Sequence, residues 1–260
     1  MPRSNNLIQS VERSIKILDV LAHSGTNGLS LGDMSKQVGI GPSTAHHLIN
    51  TLVTHHIAEQ DSISKRYRLG IHLIELGNSA LASTSLARIA RQPVEQLAQT
   101  TGQSCSLLAF NGLFRMGILG TTSQQMLSAK AAPLETSTLH ATGSGKLLLA
   151  FLPEQELQDY LSRTRLERFT ASTLTDPEKL LQELDQIRLN RYALDREEYG
   201  PGVSCISAAV QDATQSVVGC LDLVFPVYKI TPEQRTEWID KTLQTAAALT
   251  RQFRDIGVKI

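Results

Sequence analysis

The stretch that decides the fold spans residues 29–52 and reads LSLGDMSKQVGIGPSTAHHLINTL. Ser30 is a typical helix N-cap, apolar residues follow it at helical spacing, and Gly39 is typical of a helix end. A second helix is expected to begin near Ser43, just after the break at Gly41-Pro42. Two short helices joined by a tight turn predict a helix-turn-helix, a motif that places its second helix in the major groove of DNA.

The second helix of this pair has an apolar side and a polar side. At about 100° per residue, the apolar side consists of Ala45, Leu48, Ile49 and Leu52. The polar side is almost uncharged, and its groups can donate and accept hydrogen bonds at base edges and phosphates. We expect DNA contacts from these residues of the helix: Ser43, Thr44, His46, His47 and Asn50. The alternative is an ordinary solvated polar face.

The segment that follows, IAEQDSISKRYRLG at residues 57–70, predicts a small β-hairpin with its turn near Asp61-Ser62. Lys65 and Arg66 fall on the return strand, where they can reach the DNA backbone. Upstream of the helix-turn-helix, one more helix is predicted from an apolar stripe of Ile8, Val11, Ile15, Leu18 and Leu21. A helix-turn-helix followed by a basic hairpin is a winged helix-turn-helix.

Beyond residue 70, a mostly helical linker is predicted over residues 71–90, and the rest of the chain alternates strand and helix. A hairpin is expected around Asn111-Gly112, and a further strand over residues 122–130, TSQQMLSAK. Helices are expected at about 143–152 and 177–190, followed by three strands and a last helix that begins with a capping box at Thr231.

The composition limits the class of protein. Lys and Arg together number 25, as do Asp and Glu, so the formal net charge is zero. This argues against a strongly basic coat for nucleic acid but leaves room for a local contact surface. The three cysteines are widely spaced, which favours a reducing cytoplasm over a disulfide frame or a zinc site. No apolar run approaches the roughly 18 residues of a membrane span.

The segment HATGSGKLLLAF, residues 140–151, looks like a phosphate-binding loop but fails the P-loop pattern at both ends. His140 stands where the pattern requires Gly, and Leu147 stands where it requires a hydroxyl for magnesium. ATP and GTP are therefore not expected to bind. A helix that starts near Gly143 still offers free N–H groups to an anion or an acceptor group. We expect Gly143 to let a ligand approach the backbone, and Lys146 to point to solvent or to pair on the surface.

Two late strands, VSCISAA and GCLDLVF, carry polar residues at positions where burial is expected. With a period of two, Val203 and Cys205 share one face, and Asp222 and Val224 share a face of the other strand. A buried carboxylate without a partner is very costly, so Asp222 is a candidate pocket residue. The alternatives are that Cys205 is a small core residue, that Asp195 caps a turn, and that Asp222 pairs with a core arginine.

Several segments, in this order and spacing, resemble the IclR family of bacterial transcriptional regulators. They are SVERSIKIL (10–18), the helix-turn-helix stretch (29–52), YRLG (67–70), LHATGSGKLLLAFLP (139–153) and YALDREEYGPGVSCISAAVQD (192–212). The resemblance covers essentially the whole chain.

The resemblance implies an α+β fold in two domains. A winged helix-turn-helix would occupy residues 1–70, a linker helix 71–90, and a GAF-like α/β effector-binding domain 91–260. Family members are dimers or dimers of dimers that bind palindromic operators, and the resemblance implies a regulator, more often a repressor, of a catabolic operon that is controlled by a small metabolite. No catalytic residue, metal or cofactor is predicted. The alternatives are a metabolite-sensing module that binds another protein, and a small-molecule enzyme that does not bind DNA.

The resemblance also implies which residues face the effector. The matching positions are Met126, Ala129, Gly143, Ser144, Asp195, Val203, Cys205, Asp222 and Val224. Family members often carry a small hydroxyl residue where this chain has Asp222, and that hydroxyl helps to hold an effector carboxylate. A charged carboxylate at this position would repel an anion. The resemblance therefore implies a small organic acid, whereas Asp222 favours a polyol, a ureide or an amino compound.

Overall fold

The computed structural model describes residues 7–83, 85–123, 132 and 134–256. The chain divides into two compact units, Met1–Ser83 and Thr84–Ile260. Residues 85–90, which we assigned to the linker, belong to a helix that packs in the C-terminal unit, where Leu86 and Ala90 are buried. The division into residues 1–70, 71–90 and 91–260 stays a prediction. No helix of the described part is both long and apolar enough to cross a membrane.

The described residues of the N-terminal unit form four α-helices, a 3₁₀ turn at Gly25–Asn27 and one small hairpin. The elements are α1 (Gln9–His23), α2 (Leu31–Val38), α3 (Pro42–Thr54), β1 (Ala58–Gln60), β2 (Tyr67–Leu69) and α4 (His72–Ser83). The hairpin is antiparallel. Its Tyr67 joins Ile17, Met34 and Ile49 from the first three helices in a single core, because each of these helices buries one apolar stripe.

Local signals set the ends of α2 as predicted. The Ser30 hydroxyl accepts a hydrogen bond from the Asp33 N–H, and Gly39 ends the helix in the left-handed region at φ 73°. Pro42 then begins α3 at a position where its missing N–H costs nothing. The predicted winged helix-turn-helix is confirmed by these helices and the β1–β2 hairpin.

The apolar stripe predicted for α1 is only partly buried. Leu21 is buried as expected. Ile17 is also buried, although the predicted stripe contained the next residue, Leu18, and not Ile17. Val11 and Ile15, by contrast, are 53% and 54% exposed. The start of α1 therefore presents apolar side chains to solvent.

The C-terminal unit begins with a helix and contains one sheet. Its elements are α5 (Ser85–Thr101), β3 (Ser104–Asn111), β4 (Phe114–Thr121), α6 (Gly143–Phe151), α7 (Glu154–Arg163), α8 (Pro177–Asn190), β5 (Tyr192–Arg196), β6 (Val203–Gln211), β7 (Val217–Pro226) and α9 (Pro232–Asp255). A 3₁₀ turn at Thr136–Ala141 leads into α6. The capping box predicted at Thr231 is present at the start of α9.

The sheet has five antiparallel strands in the order β4-β3-β7-β6-β5, with helices on both faces. One face packs against α5 and α9, and its core includes Ile206, Leu221 and Leu223. The other face packs against α6, α7 and α8 around Leu108 and Cys220. The alternation of residues along β6 and β7 thus separates two cores. The predicted α+β fold class is confirmed.

Two parts of the sequence interpretation differ from the structure. Helix α7 was not predicted, although Pro153 at its N-cap and two acidic residues in its first turn are typical helix-start signals. Most of the strand expected over residues 122–130 lies outside the described residues, and the two residues of it that the structure describes, 122 and 123, are not in a strand.

Candidate DNA-binding surface and effector pocket

The polar side of α3 is exposed, as its pattern predicts. Ser43, His46, His47 and Asn50 are exposed, whereas Thr44 is half-buried. The Asn50 amide nitrogen lies 3.3 Å from Nε2 of His46, so these two side chains are positioned together one helical turn apart. On the opposite side, Ala45 and Ile49 are fully buried. The helix therefore presents hydrogen-bonding groups to solvent while its apolar side holds it in the unit.

The two predicted contact residues of the wing, Lys65 and Arg66, precede β2 and do not lie on the return strand as expected, and their settings differ. Lys65 is exposed at the turn, with a left-handed backbone at φ 58°. Arg66 is half-buried, and its Nε donates to the carbonyl oxygens of Asn27 (2.9 Å) and Gly28 (3.2 Å). Arg66 thus ties the wing to the turn before α2, while the ammonium of Lys65 lies at the surface.

A cavity of about 320 Å³ lies between the start of α6 and the sheet. All of the predicted effector-facing residues that the structure describes line this cavity. They are Gly143, Ser144, Asp195, Val203, Cys205, Asp222 and Val224. Met126 and Ala129, predicted as apolar walls, lie outside the described residues. The cavity is of the size that suits a small metabolite.

Strand register builds the floor of this cavity. Ser106 on β3 and Ser207 on β6 both pair with Asp222 on β7, so a row of three polar residues crosses the middle of the sheet. In the next row, Cys205 pairs with Val224. Ser106 was missed by sequence reasoning, and so were other lining residues: Leu108, Ala132, Leu134, Thr142, Tyr199 and Gly200. The placement of Ser106 and Leu108 depends on the register between strands, and that of the others depends on how loops fold over the sheet, so a single segment does not reveal either.

Both pocket carboxyl groups are buried. The Asp222 carboxyl accepts a hydrogen bond from the Cys220 thiol (3.2 Å), and burial raises its pKa against the opposing effects of Ser207, Cys220 and Arg115. The Asp195 carboxyl accepts the Glu198 N–H (2.7 Å), and burial raises its pKa to about 7. A carboxyl group with a raised pKa stays protonated, and uncharged, at a higher pH than usual. Anion repulsion by Asp222 therefore depends on its protonation state.

Arg115 on β4 is a functional candidate that sequence reasoning missed. Its guanidinium is buried and donates from Nη1 to the hydroxyls of Thr142 (2.8 Å) and Ser144 (2.9 Å). From Nη2 it donates to the Thr138 hydroxyl (2.9 Å) and the Glu135 carbonyl (3.1 Å). The one available signal was a charged residue inside the apolar strand FRMGIL. The structure thus brings a positive charge to the start of α6.

Packing gives a second reason for glycine at position 143. A Cβ at this position would lie 2.6 Å from Oγ of Ser207 and 3.5 Å from the Cys205 carbonyl oxygen. The missing side chain therefore faces β6, and glycine is required because α6 approaches the sheet closely at this point. Gly143 lines the cavity through its backbone.

The surface position expected for Lys146 is wrong. Its side chain is fully buried, and Nζ lies 2.6 Å from Oε1 of Glu198 and 3.5 Å from Oε1 of Glu183. An ammonium group can be buried when carboxylates compensate its charge. Glu198 lies in the segment between β5 and β6 that brings Tyr199 and Gly200 to the cavity. The ion pair thus joins α6 to one wall of the pocket.

A winged helix-turn-helix with an exposed polar recognition helix, together with a small-molecule cavity in a second unit, defines a ligand-responsive DNA-binding protein. Comparison with known families agrees with this class. The IclR helix-turn-helix domain matches residues 10–62, and the C-terminal domain of the bacterial transcriptional regulator IclR matches residues 78–251. The chain belongs to the IclR family of transcriptional regulators.

Curated relatives cover nearly the full chain. The transcriptional regulator BhcR of Paracoccus denitrificans is 32% identical over 94% of this chain and 86% of its own length. The regulator XynR of Escherichia coli is 33% identical over 94% of this chain and 97% of its own. The repressor AllR of Klebsiella pneumoniae is 30% identical over 90% of this chain and 85% of its own length. Since these relatives are transcriptional regulators, the chain is a regulator and not an enzyme.

Solved structures share the fold. An IclR-type regulator from Silicibacter has a TM-score of 0.81 at 22% identity and covers 94% of this chain and 96% of its own. An IclR homologue from Microbacterium hydrocarbonoxydans, complexed with 4-hydroxybenzoate, has a TM-score of 0.71 at 21% identity. The match covers 95% of this chain and 99% of the homologue. Among the described residues of the present chain, no group of three or more His, Cys, Asp or Glu could hold a metal ion.

Proposed function

We propose that this protein is a cytoplasmic repressor of a catabolic operon. It binds a palindromic operator as a homodimer or a dimer of dimers, and a small molecule in the C-terminal cavity changes its affinity for DNA. The observation that carries the proposal is the exposed and uncharged polar side of α3, which is combined with a wing in the same unit. The names of relatives support repression, since AllR and IclR are both named repressors.

The proposed DNA contacts are of two kinds. His46, His47 and Asn50 on α3 would read base edges, because imidazole and amide groups both donate and accept hydrogen bonds. Ser43 and Thr44 lie at the first turn of α3, where hydroxyl and N–H groups suit a phosphate. Lys65 and Arg66 would contact the DNA backbone, which contributes affinity without sequence information.

The proposed effector site is the cavity above β6 and β7. The described residues proposed to contact the effector are Gly143, Ser144, Asp195, Val203, Cys205, Asp222 and Val224. Met126 and Ala129 are proposed as further walls from the family pattern alone. The carboxyls of Asp195 and Asp222 and the start of α6 would orient a polar ligand, while Val203 and Val224 would cover its apolar part. An organic acid, a polyol, a ureide and an amino compound are the candidate classes.

Gel-shift titration with the DNA that flanks the protein's own gene tests this function. We expect specific binding, and we expect Lys65→Ala to weaken binding to all sequences and to lower the salt dependence by about one phosphate contact per half-site. The control is Lys16→Ala, which removes another exposed lysine that is paired with Glu12 on α1. His47→Ala should instead change the preferred sequence. Wild-type protein that does not distinguish the flanking DNA from random DNA at any salt concentration would contradict the function.

A further inference from the structure

Three polar side chains, those of Arg115, Ser144 and Asp222, lie at the head of the cavity. Arg115 donates to the Ser144 hydroxyl at 2.9 Å, and a guanidinium can only donate. The Ser144 oxygen therefore accepts this bond, which leaves its own hydrogen for another acceptor, and Ser144 opposes the rise that burial causes in the pKa of the Asp222 carboxyl. A buried cation and a buried carboxyl thus lie on the two sides of one hydroxyl region, and Ser144 and Asp222 both line the cavity.

The end of the cavity at the start of α6 favours an anion, because positive charge is concentrated there. The Gly145 N–H is taken by the Thr142 hydroxyl and the Lys146 N–H by the Thr142 carbonyl. Gly143 and Ser144 are the first residues of α6. The first N–H groups of a helix have no acceptor within the helix and lie at its positive end, where they can bind an anion. Arg115 adds a full charge behind them. A cationic ligand at this end of the cavity would be repelled by both.

Few groups around Asp222 can change charge near neutral pH. The titratable groups that face it come from each strand of the sheet: Cys105 on β3, Arg115 on β4, Asp195 on β5, Cys205 on β6 and Cys220 on β7. On α6, Lys146 is held in its ion pair with Glu198. Burial raises the pKa of all three thiols, that of Cys105 to about 12, so they stay neutral. Among the described residues that face the cavity here, Asp222 and Asp195 are the groups whose charge can change near neutral pH.

We propose that the pocket binds a small carboxylic acid together with one proton, with the ligand carboxylate at the start of α6 and the proton on the Asp222 carboxyl that donates to it. This inference rests on the proposed effector role of the cavity. An ionised Asp222 would repel the ligand in a site with little solvent, whereas the protonated group donates a hydrogen bond. Asp222 takes the proton from solvent when the ligand binds and returns it on release. Arg115 is a positioning residue, because it directs the Ser144 hydroxyl and adds charge without lining the cavity itself.

Calorimetry on the full-length protein tests the proposal. The probes are monocarboxylates from acetate to 4-hydroxybenzoate, each with its amide, in two buffers of different ionisation enthalpy. Where Asp222 is ionised in the free protein, uptake of one proton per ligand lowers the affinity for the acid about tenfold per pH unit as pH rises. The buffer difference should report this proton directly, and the affinity for the amide should not change with pH.

Three variants identify the group that takes up the proton. Asp222→Asn keeps the shape but cannot ionise, so the pH dependence of acid binding should disappear. Asp195→Asn should retain most of the pH dependence of acid binding. Arg115→Gln should weaken binding of the acid about tenfold or more, with binding of the amide little changed, because it removes a charge.

Several outcomes would overturn the proposal: no proton uptake with wild-type protein, unchanged uptake in Asp222→Asn, preference for amides or amines, or no binding of any acid. The wild-type proton count needs no variant, so it tests proton uptake even if Asp222→Asn fails to fold, and Asp195→Asn then shows whether Asp195 is the group that takes up the proton. Operator binding by the same preparations is measured separately. A protein that binds its operator and responds to an amine would contradict this inference and leave the proposed function standing.

Discussion

At the scale of single residues, the C-terminal unit buries ionisable groups and compensates each one differently. Lys146 is compensated by the carboxylate of Glu198, with Glu183 farther away. Asp195 is compensated by a backbone N–H, and burial still raises its pKa. Arg115 donates to three hydroxyls and a carbonyl. A buried charge is tolerated in each case because a specific neighbour replaces the lost water.

The Lys146–Glu198 pair is expected to be far more sensitive to mutation than a surface pair of equal length. Lys146→Met leaves Glu198 buried without its partner and should lower the free energy of unfolding by about 3–5 kcal/mol. The control is Lys241→Met, since Lys241 also lies 2.6 Å from a carboxylate, that of Glu237, but both side chains are exposed. That change should cost no more than about 1 kcal/mol. Denaturant unfolding measures both, and equal losses would mean that burial does not decide the effect.

At the scale of elements, the position of α6 against the sheet determines the pocket. Thr142 caps the helix, and Gly143 lets its first turn approach β6. Gly145 fits just as closely, since a Cβ there would lie 2.3 Å from the Leu139 carbonyl oxygen. The glycines of the GSGK sequence are thus explained by packing of the helix start, and no nucleotide is needed to account for them.

Gly143→Ala is expected to push α6 away from the sheet. The added Cβ would lie 2.6 Å from Oγ of Ser207, so we expect a loss of about 1–3 kcal/mol in the free energy of unfolding. Ser207→Ala in the same chain removes that oxygen and leaves a tolerable 3.4 Å contact with the Ser207 Cβ, so the double variant should regain most of the loss. Gly117→Ala is the control, since nothing lies within 4 Å of its added Cβ. Denaturant unfolding of the four proteins provides the comparison, and a double variant no more stable than Gly143→Ala would contradict this reason for glycine.

At the scale of the whole molecule, the N-terminal unit exposes apolar side chains that a monomer would leave in water. Ile8, Val11 and Ile15 are exposed at the start of α1, and Ile71 and Ile74 are exposed at the start of α4. Exposed apolar side chains at the start of a helix favour association. The proposed palindromic operator needs two copies of the winged unit, so we propose that the start of α1 contacts a second copy of the chain.

A double substitution, Val11→Glu with Ile15→Glu, is expected to reduce the dimer to monomers because it places carboxylates in an apolar contact. Light scattering should show the smaller species, and operator affinity should fall strongly since one half-site is too small a contact. Leu189→Glu is the control, because Leu189 is an exposed apolar residue on α8 in the other unit. A wild-type protein that is monomeric with and without DNA would contradict the assignment.

Features that depend on near neighbours could be predicted from the amino-acid sequence. Helix caps at Ser30 and Thr231 and the alternating faces of β6 and β7 were readable because their cause lies within a few residues. The tertiary structure alone decided the contacts between distant segments. It buries Lys146 against Glu198, sets Arg115 behind Ser144, and turns Gly143 toward Ser207. These contacts depend on strand register and on the approach of a helix to a sheet, which many residues fix together and no short segment encodes.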